Sequence, residues 1–541
     1  MEPTPITPSQ SIGPFHLGAS LHEILTTLKE ASRQTNPPTS IELHHSPTNP
    51  LSTPLILHLP TSSLRLRFDG PDQRLRLIEV TNYHSIRLRY KGSDLIKVRD
   101  DAAPVASGPN FKRVYELFGP SYPGEYFPPP PGSQTGTYVS SWPGVAFNFP
   151  LQHAAWSKEK DHVALLGSHA AGVATSMAVF EGKSWAEARQ DLFVRMPTGP
   201  RCSALASRPK DCLPLEIEHA HVLGNGKIEL FRQSGEGNIT IVLNETTVQD
   251  LTTELGPPEA THRPDHGEAS MTERHGQDRR GSATRPTSNG RGHTMSQPSS
   301  YSSTGTDTFE TDFEPTDQEE DAFDRANRQK YWCYFTHGMD ILVGPPADLP
   351  STTITSTTTP RHGISRTPLS TSPHLVVLKV TIHGNIPGSY AFNRHRRLRW
   401  TISLPQPSPQ PHHPDPNEVL ETSTTYLTSE QSFESEILPH LLSIYSHTSS
   451  NSDLNSELGK GKVVNRTWSG GRTSGESSFF LPDAEQELEG DERGIGFGGG
   501  GGGGGGDGGS GQWLGNTRLY AFPGLGFEVL ENGAVAALSV G

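Results

Sequence analysis

Arginine carries the pattern in this chain that most clearly suggests chemistry. The strings Leu64-Arg65-Leu66-Arg67-Phe68, Arg74-Leu75-Arg76-Leu77 and Ile86-Arg87-Leu88-Arg89-Tyr90 alternate apolar and guanidinium side chains. On a strand, a period of two sends one set inward and the other outward. Arg65, Arg67, Arg74, Arg76, Arg87, Arg89 and Lys91 would then share one sheet face. Guanidinium pairs bidentately with phosphate and carboxylate, so such a face suits anionic lipid headgroups or an acidic partner. The competing reading is a solvated strand face partly neutralised by Asp69, Asp72 and Glu79. The alternation slips at Leu77-Ile78, where a bulge or burial on both faces is expected. A second basic string is Arg394-His395-Arg396-Arg397-Leu398-Arg399-Trp400. As a strand it would put Arg394, Arg396, Leu398 and Trp400 on one side, and His395, Arg397 and Arg399 on the other. Arginine beside tryptophan suits an anionic membrane surface, and an edge strand kept soluble by charge fits equally.

Signatures of catalysis are missing. The chain has no G-x-S-x-G, H-E-x-x-H or C-x-x-C. Gly167-Ser168-His169-Ala170-Ala171-Gly172 has the glycines of a phosphate loop, but Val173 and Ala174 stand where lysine and a hydroxyl residue are needed. His44-His45 and His412-His413 are adjacent pairs. Neighbours on a strand point to opposite faces and cannot readily hold one ion. Cys202, Cys212 and Cys333 are odd in number and lack zinc-type spacing, which leads us to expect a reduced, intracellular protein. No enzymatic activity, metal or cofactor is expected. The acidic stretch from Asp307 to Asp324, with Phe309, Phe313 and Phe323, reads as a solvating linker or a docking peptide.

The elements around these residues follow a unit that recurs four times: an amphipathic helix, then an antiparallel meander with a glycine kink. In the first, Ser20 and Glu23 have capping-box spacing, and Leu21, Ile24, Leu25 and Leu28 form one helical face ahead of strands at 55–57, 64–68 and 75–80. The second has Val114–Phe118, then strands on either side of Trp142-Pro143-Gly144. The third has a helix over 247–255 closed by Gly256-Pro257-Pro258, then Tyr331–Phe335, Gly338, Met339–Val343 and Leu375–Ile382. The fourth has Ile437, Leu438, Leu441 and Leu442 on a helix, then 518–522, 526–530 and 535–540, the last two joined at Glu531-Asn532-Gly533. The expected fold is therefore α+β and strand-rich, with these units packed together and long disordered insertions between their elements. The unit boundaries expected are 11–100, 105–200, 215–402 (with inserts 261–328 and 345–373) and 425–541 (with a Gly/Ser-rich insert 446–511). A further Pro/His/Ser-rich tract spans 403–424.

Composition supports the insertions. Hydrophobic residues make up only 32% of 541, with 55 Gly and 47 Pro, averages that mix foldable chain with segments unable to bury a core. The net charge of -14 disfavours nucleic acid as a general partner. No apolar run reaches the length of a transmembrane helix, and Met1-Glu2-Pro3-Thr4-Pro5 does not open a secretory leader. A cytoplasmic protein is the expectation.

Several strings resemble the phagosome assembly factor family. They are Phe15-His16-Leu17-Gly18 with Ser20-Leu21; Phe68-Asp69 with Gln73-Arg74-Leu75 and Ile78-Glu79-Val80; Leu88-Arg89-Tyr90-Lys91-Gly92; Phe118-Gly119-Pro120 through Pro123-Gly124-Glu125-Tyr126; Tyr334-Phe335-Thr336-His337-Gly338-Met339-Asp340-Ile341-Leu342; Pro387-Gly388-Ser389-Tyr390-Ala391-Phe392-Asn393; and Gly526-Phe527-Glu528-Val529. They run in family order from about residue 11 to 541. The resemblance implies a cytosolic, non-catalytic autophagy scaffold, recruited to the phagophore assembly site with a β-propeller partner of the microtubule-associated cell migration factor type. Phosphoinositide contact is attributed mainly to that partner, and the family offers no established ligand residues to carry across. A trafficking adaptor at Golgi-derived vesicles is the alternative.

Overall fold

A computed structural model describes residues 3–34, 40–96, 108–197, 216–232, 237–264, 328–346, 374–405, 424–446, 459–465, 493–497 and 516–541. It is α+β and dominated by antiparallel strands. In the first half, β1 (Thr4–Thr7), β2 (Ser11–Ile12) and β3 (Phe15–His16) precede helix α1 (Leu21–Gln34). A meander follows: β4 (Ile41–His45), β5 (Leu55–Leu59), β6 (Leu64–Phe68) and β7 (Leu75–Val80). Then come β8 (Leu88–Tyr90), β9 (Ser93–Asp94), helix α2 (Phe111–Phe118) and a second meander of β10 (Glu125–Phe127), β11 (Thr135–Trp142), β12 (Val145–Gln152) and β13 (Ser176–Val179).

The second half repeats this series. It runs through β14 (Ile217–Gly224), β15 (Lys227–Arg232), β16 (Ile239–Val242), helix α3 (Val248–Leu255), and the meander β17 (Ala260–His262), β18 (Lys330–Tyr334), β19 (Met339–Gly344) and β20 (Val376–His383). Next are β21 (Arg399–Pro405), β22 (Thr424–Thr428), helix α4 (Leu438–Ser446), β23 (Lys462–Asn465), β24 (Arg493–Phe497), β25 (Asn516–Phe522), β26 (Leu525–Leu530) and β27 (Val535–Val540).

The strand orders make the repeat explicit. The small sheets are β3-β2-β1-β8-β9 and β16-β15-β14-β21-β22, each with a parallel pairing at the same place, β1 with β8 and β14 with β21. The large sheets are β10-β11-β12-β13-β7-β6-β5-β4-β24 and β17-β18-β19-β20-β27-β26-β25-β23. In both, two helix-plus-meander units join through their last strands, β13 with β7 and β20 with β27. The four units are thus two pairs. Within each pair, one meander continues the sheet of the other.

Local chemistry explains the elements. Ser20 accepts from the Glu23 N–H at the start of α1, Asn110 caps α2, and Thr247 and Asp250 form a reciprocal capping box on α3. Gly119 and Gly256, each before proline, end α2 and α3 at φ +85° and +83°. Leu21, Ile24, Leu25 and Leu28 are buried in the core of the first half, and Leu251, Leu255, Ile437 and Leu441 in that of the second. Each such side chain contributes about 1.5–3 kcal/mol of burial. The turn between the second and third strands of every meander has one left-handed residue: Ser63, Gly144, Gly338 and Gly524. At Gly338 a Cβ would lie 2.4 Å from the Arg396 carbonyl oxygen, so lack of a side chain is required there for space as well as for φ.

Two described pieces fall inside the expected insert 446–511. Lys462–Asn465 pairs with β25, and Arg493–Phe497 crosses to the first half and adds to the edge of β4. Glycines at every second position mask the short Ile495/Phe497 alternation in the sequence. The rest of that insert, and nearly all of 261–328, 345–373 and 403–424, lies outside the described residues. Among the described residues no helix is long and apolar enough to cross a membrane.

Candidate functional site

The structure breaks up the expected arginine face. Arg65 and Arg67 are half-buried on β6, where Arg67 Nε donates to Glu79 at 2.7 Å. Arg87 and Arg89 belong to the other sheet of that half, and both pair with Asp94. Arg74 and Arg76 are buried. The physical reason is a bulge just before the expected slip at Leu77-Ile78: Arg67 pairs with Leu77 and Phe68 with Leu75, leaving Arg76 as the extra residue. Both sheet faces are also covered here, since Ile78 enters the main core while Leu77 packs with Val139, Ala146 and Phe180. Arg76 Nε donates to Asp69 Oδ2 at 2.6 Å, and Nη1 to the Arg195 carbonyl.

The second basic string is corrected too. Residues 394–398 run from a turn into irregular chain rather than a strand, which begins only at Arg399. Arg394 is exposed and Arg399 half-exposed, but His395, Arg396 and Arg397 are buried. Arg396 donates to Glu216 at 3.2 Å and to the Ile217 carbonyl, and Arg74 reaches the same Glu216 oxygen at 2.7 Å. Arg399 lies 2.8 Å from Asp72. Burial pushes the Arg397 guanidinium down to about 10, with Asp72 and Asp69 pulling the other way. This network joins the two halves, and it needs the segment 384–398 in place. Gln73 and Asn385 exchange two amide hydrogen bonds of 2.8 Å, His22 Nδ1 donates to the Asn393 carbonyl, and Phe392 enters the core of the first half. Ions this deep are costly unless paired, so the guanidinium groups of Arg74, Arg76 and Arg396 are committed to internal carboxylates and carbonyls rather than to an external anion.

The other flagged residues resolve simply. Gly167–Gly172 follows the short helix His162–Leu166 and does not link a strand to a helix as a phosphate loop must. His44 points outward and His45 inward. Cys333 is a free, buried thiol, pushed up to about 12 by burial, so it is not a thiolate nucleophile. Cys202, Cys212, His412, His413 and the acidic stretch 307–324 lie outside the described residues.

One constellation was not anticipated. Asp340 on β19 stands between His383, the last residue of β20, and His395. Asp340 Oδ2 is 3.0 Å from His383 Nε2 and Oδ1 is 2.8 Å from His395 Nε2. The two imidazoles stack, with centroids 3.8 Å apart and planes 9° from parallel. Cys333 is the direct cross-strand partner of Asp340, and its Sγ is 3.3 Å from His262 Nδ1. Burial pushes the Asp340 carboxyl up, but the hydrogen bonds from both histidines outweigh it and hold the group well below the usual carboxylate range. Burial takes His395 down to about 4, against the pull of Asp340, so this imidazole is neutral at pH 7. The sequence hint was a single histidine closing the apolar run Val376–Ile382. Only strand pairing brings it to Asp340.

Comparison with known proteins gives the family. The model of the phagosome assembly factor 1 family matches residues 11–284, just over half of the 541 residues. A PHAF1 protein of Arabidopsis thaliana is 29% identical over 150 residues, 27% of this chain and 32% of its own length. One of Caenorhabditis elegans is 31% identical over 140 residues, 25% of this chain and 29% of its own. One of Drosophila melanogaster is 28% identical over 152 residues, 28% of this chain and 32% of its own. The chain thus spans about a third of the length of these curated relatives. No solved structure matches. The matched blocks cover the first half, with its capped helices and meanders, and the opening of the second; the chain belongs to the phagosome assembly factor 1 family.

Proposed function

We propose that this protein is a non-catalytic scaffold of autophagy. It acts in the cytoplasm at the phagophore assembly site, in complex with a β-propeller partner of the microtubule-associated cell migration factor type. The family match over 11–284 carries this reading. The structure supports it in one respect: two similar halves are tied into one body by internal charge pairs, an arrangement suited to presenting surfaces. Buried Arg74 and Arg396 meet on Glu216 at that junction, Arg76 is held by Asp69 within the first half, and Arg397 is buried. Contact with phosphoinositide membranes therefore falls to the partner and to the arginines that are not fully buried, Arg65, Arg67, Arg87, Arg89, Arg394 and Arg399, four of which already face carboxylates. Fluorescent tagging in fed and starved cells tests the reading. Puncta that form on starvation and coincide with phagophore markers are expected. Constant labelling of Golgi-derived vesicles would favour a trafficking adaptor instead.

A further inference from the structure

The Asp340 constellation has the donor set and spacing of an ion site. All three ligand atoms lie within 4.8 Å of one another. A tetrahedral zinc site, with bonds of about 2.0–2.1 Å, holds its ligand atoms about 3.4 Å apart. Binding would draw the ligand atoms inward by about 1.4 Å at most and tilt the two stacked imidazoles so that both nitrogen lone pairs meet at the ion. The residues come from three elements, β19, the end of β20 and the connection to β21. The arrangement is thus made by the fold and not by one flexible loop. Asp340 and His383 retain 15% and 13% side-chain exposure while His395 has 2%, which leaves an approach from solvent on one side. Cys333, cross-strand partner of Asp340, lies on the same sheet face, outside the three-ligand cluster. Two imidazole nitrogens with one carboxylate favour a borderline divalent ion over calcium or magnesium.

We propose that Asp340, His383 and His395 bind a divalent transition-metal ion of the zinc type, with the fourth position left to solvent or to Cys333. A carboxylate holding two N–H donors is the alternative, and it explains the short contacts without an ion. Arg394, a cationic neighbour, acts on His395 and Cys333, but it is exposed and so screened. The ion would have a definite structural consequence. His395 belongs to the segment that also carries Asn385, Phe392 and Asn393 into the first half. Metal at this point would pin that segment to β19 and β20, making the junction between the halves metal-dependent.

Cobalt(II) and zinc(II) titrations of the full chain, after chelator treatment and dialysis, test the site. One equivalent of Co2+ with the visible d–d bands of a four-coordinate ion is expected, displaced by Zn2+. Zn2+ should also raise the melting temperature of the chelator-treated protein. Affinity should fall more than about 100-fold in His383→Gln and in Asp340→Asn, since losing a ligand exceeds the effect of losing its outer support. Should those variants not fold, His383→Cys provides a positive signal, because a ligating thiolate adds a charge-transfer band to the cobalt spectrum. No four-coordinate bands in the parent, or bands that persist unchanged in folded His383→Gln or His383→Cys, would overturn the proposal. So would a melting temperature indifferent to both chelator and Zn2+. None of these results bears on the scaffold reading.

Discussion

Replacing Arg76 by methionine is expected to destabilise the protein by about 3–5 kcal/mol, the cost of leaving a buried partner charge uncompensated. The geometry sets that magnitude. Arg76 and Asp69 are each 1% exposed, and the 2.6 Å contact between them is the strongest bond either makes to a side chain. Asp69 would keep only the N–H groups of Asp72 and Arg74, at 2.6 and 3.2 Å, as donors. Methionine preserves the length of the side chain, so a cavity contributes little. The double variant Arg76→Met/Asp69→Asn removes both charges, and the Asn oxygen can still accept from those N–H groups. It should recover at least half of the loss. Arg87→Gln and Arg89→Gln, which change exposed pairs with Asp94, should each cost less than about 1 kcal/mol. Urea unfolding followed by tryptophan fluorescence and circular dichroism measures all four. Arg76→Met within about 0.5 kcal/mol of the parent, which is the range of ordinary surface substitutions, would refute the assignment of Arg76 to the interior. A double variant less stable than Arg76→Met would refute the account of Arg76 and Asp69 as a buried pair whose loss leaves one charge unpaired.

Three further outcomes follow from the same structure. Gly338→Val should cost more than about 3 kcal/mol, combining the left-handed φ of +78° with a clash against the Arg396 carbonyl, whereas Gly524→Ala, whose Cβ would meet only the Gly541 carbonyl at 3.9 Å, should cost only about 1–2 kcal/mol for its φ; equal losses in urea unfolding would contradict this. Stability should decline as pH falls from about 6.5 toward 4, because burial, with Arg396 adding to it, holds His337 down to about 4 while its Nδ1 accepts from the Ile217 N–H. The unfolded chain takes up a proton that the folded one refuses, so the contribution is complete above 6.5 and lost below it, to a total of about 3 kcal/mol; His337→Gln should show a shallower slope than the parent, and parallel slopes would exclude this cause. Excising residues 266–326 with a short Gly/Ser joint should leave the melting temperature nearly unchanged, because β17 and β18 are hairpin neighbours, with His262 opposite Tyr331; a large drop would show that the excised segment contributes structure.

Legibility followed the range of the interactions. Short-range signals were readable: the Ser20/Glu23 cap, the Gly256-Pro257 stop and the recurring turn glycine all depend on residues within a few positions of one another. Four helix-plus-meander units followed from these. Their pairing did not, because β7 with β13 and β20 with β27 are joined by strand edges far apart in sequence. The arginine alternation misled for a definite reason. Period-two logic assumes an unbroken ladder, and the bulge turns Arg76 toward Asp69 instead of solvent. At Arg394–Leu398 the chain is not a strand at all, so alternation had no meaning there. Asp340 and His395 lie 55 positions apart, on either side of a segment outside the described residues, and no local pattern links them.

The scaffold account is tested most directly by its partner. Affinity purification of the tagged full chain from starved cells, with quantitative mass spectrometry against an untagged control, reads it in one step. The account expects a β-propeller protein to co-purify in near-stoichiometric amount, and to do so equally with an Arg87→Gln/Arg89→Gln variant. Recovery of coat or tethering components of Golgi-derived vesicles, with no propeller protein enriched over the control, would contradict it.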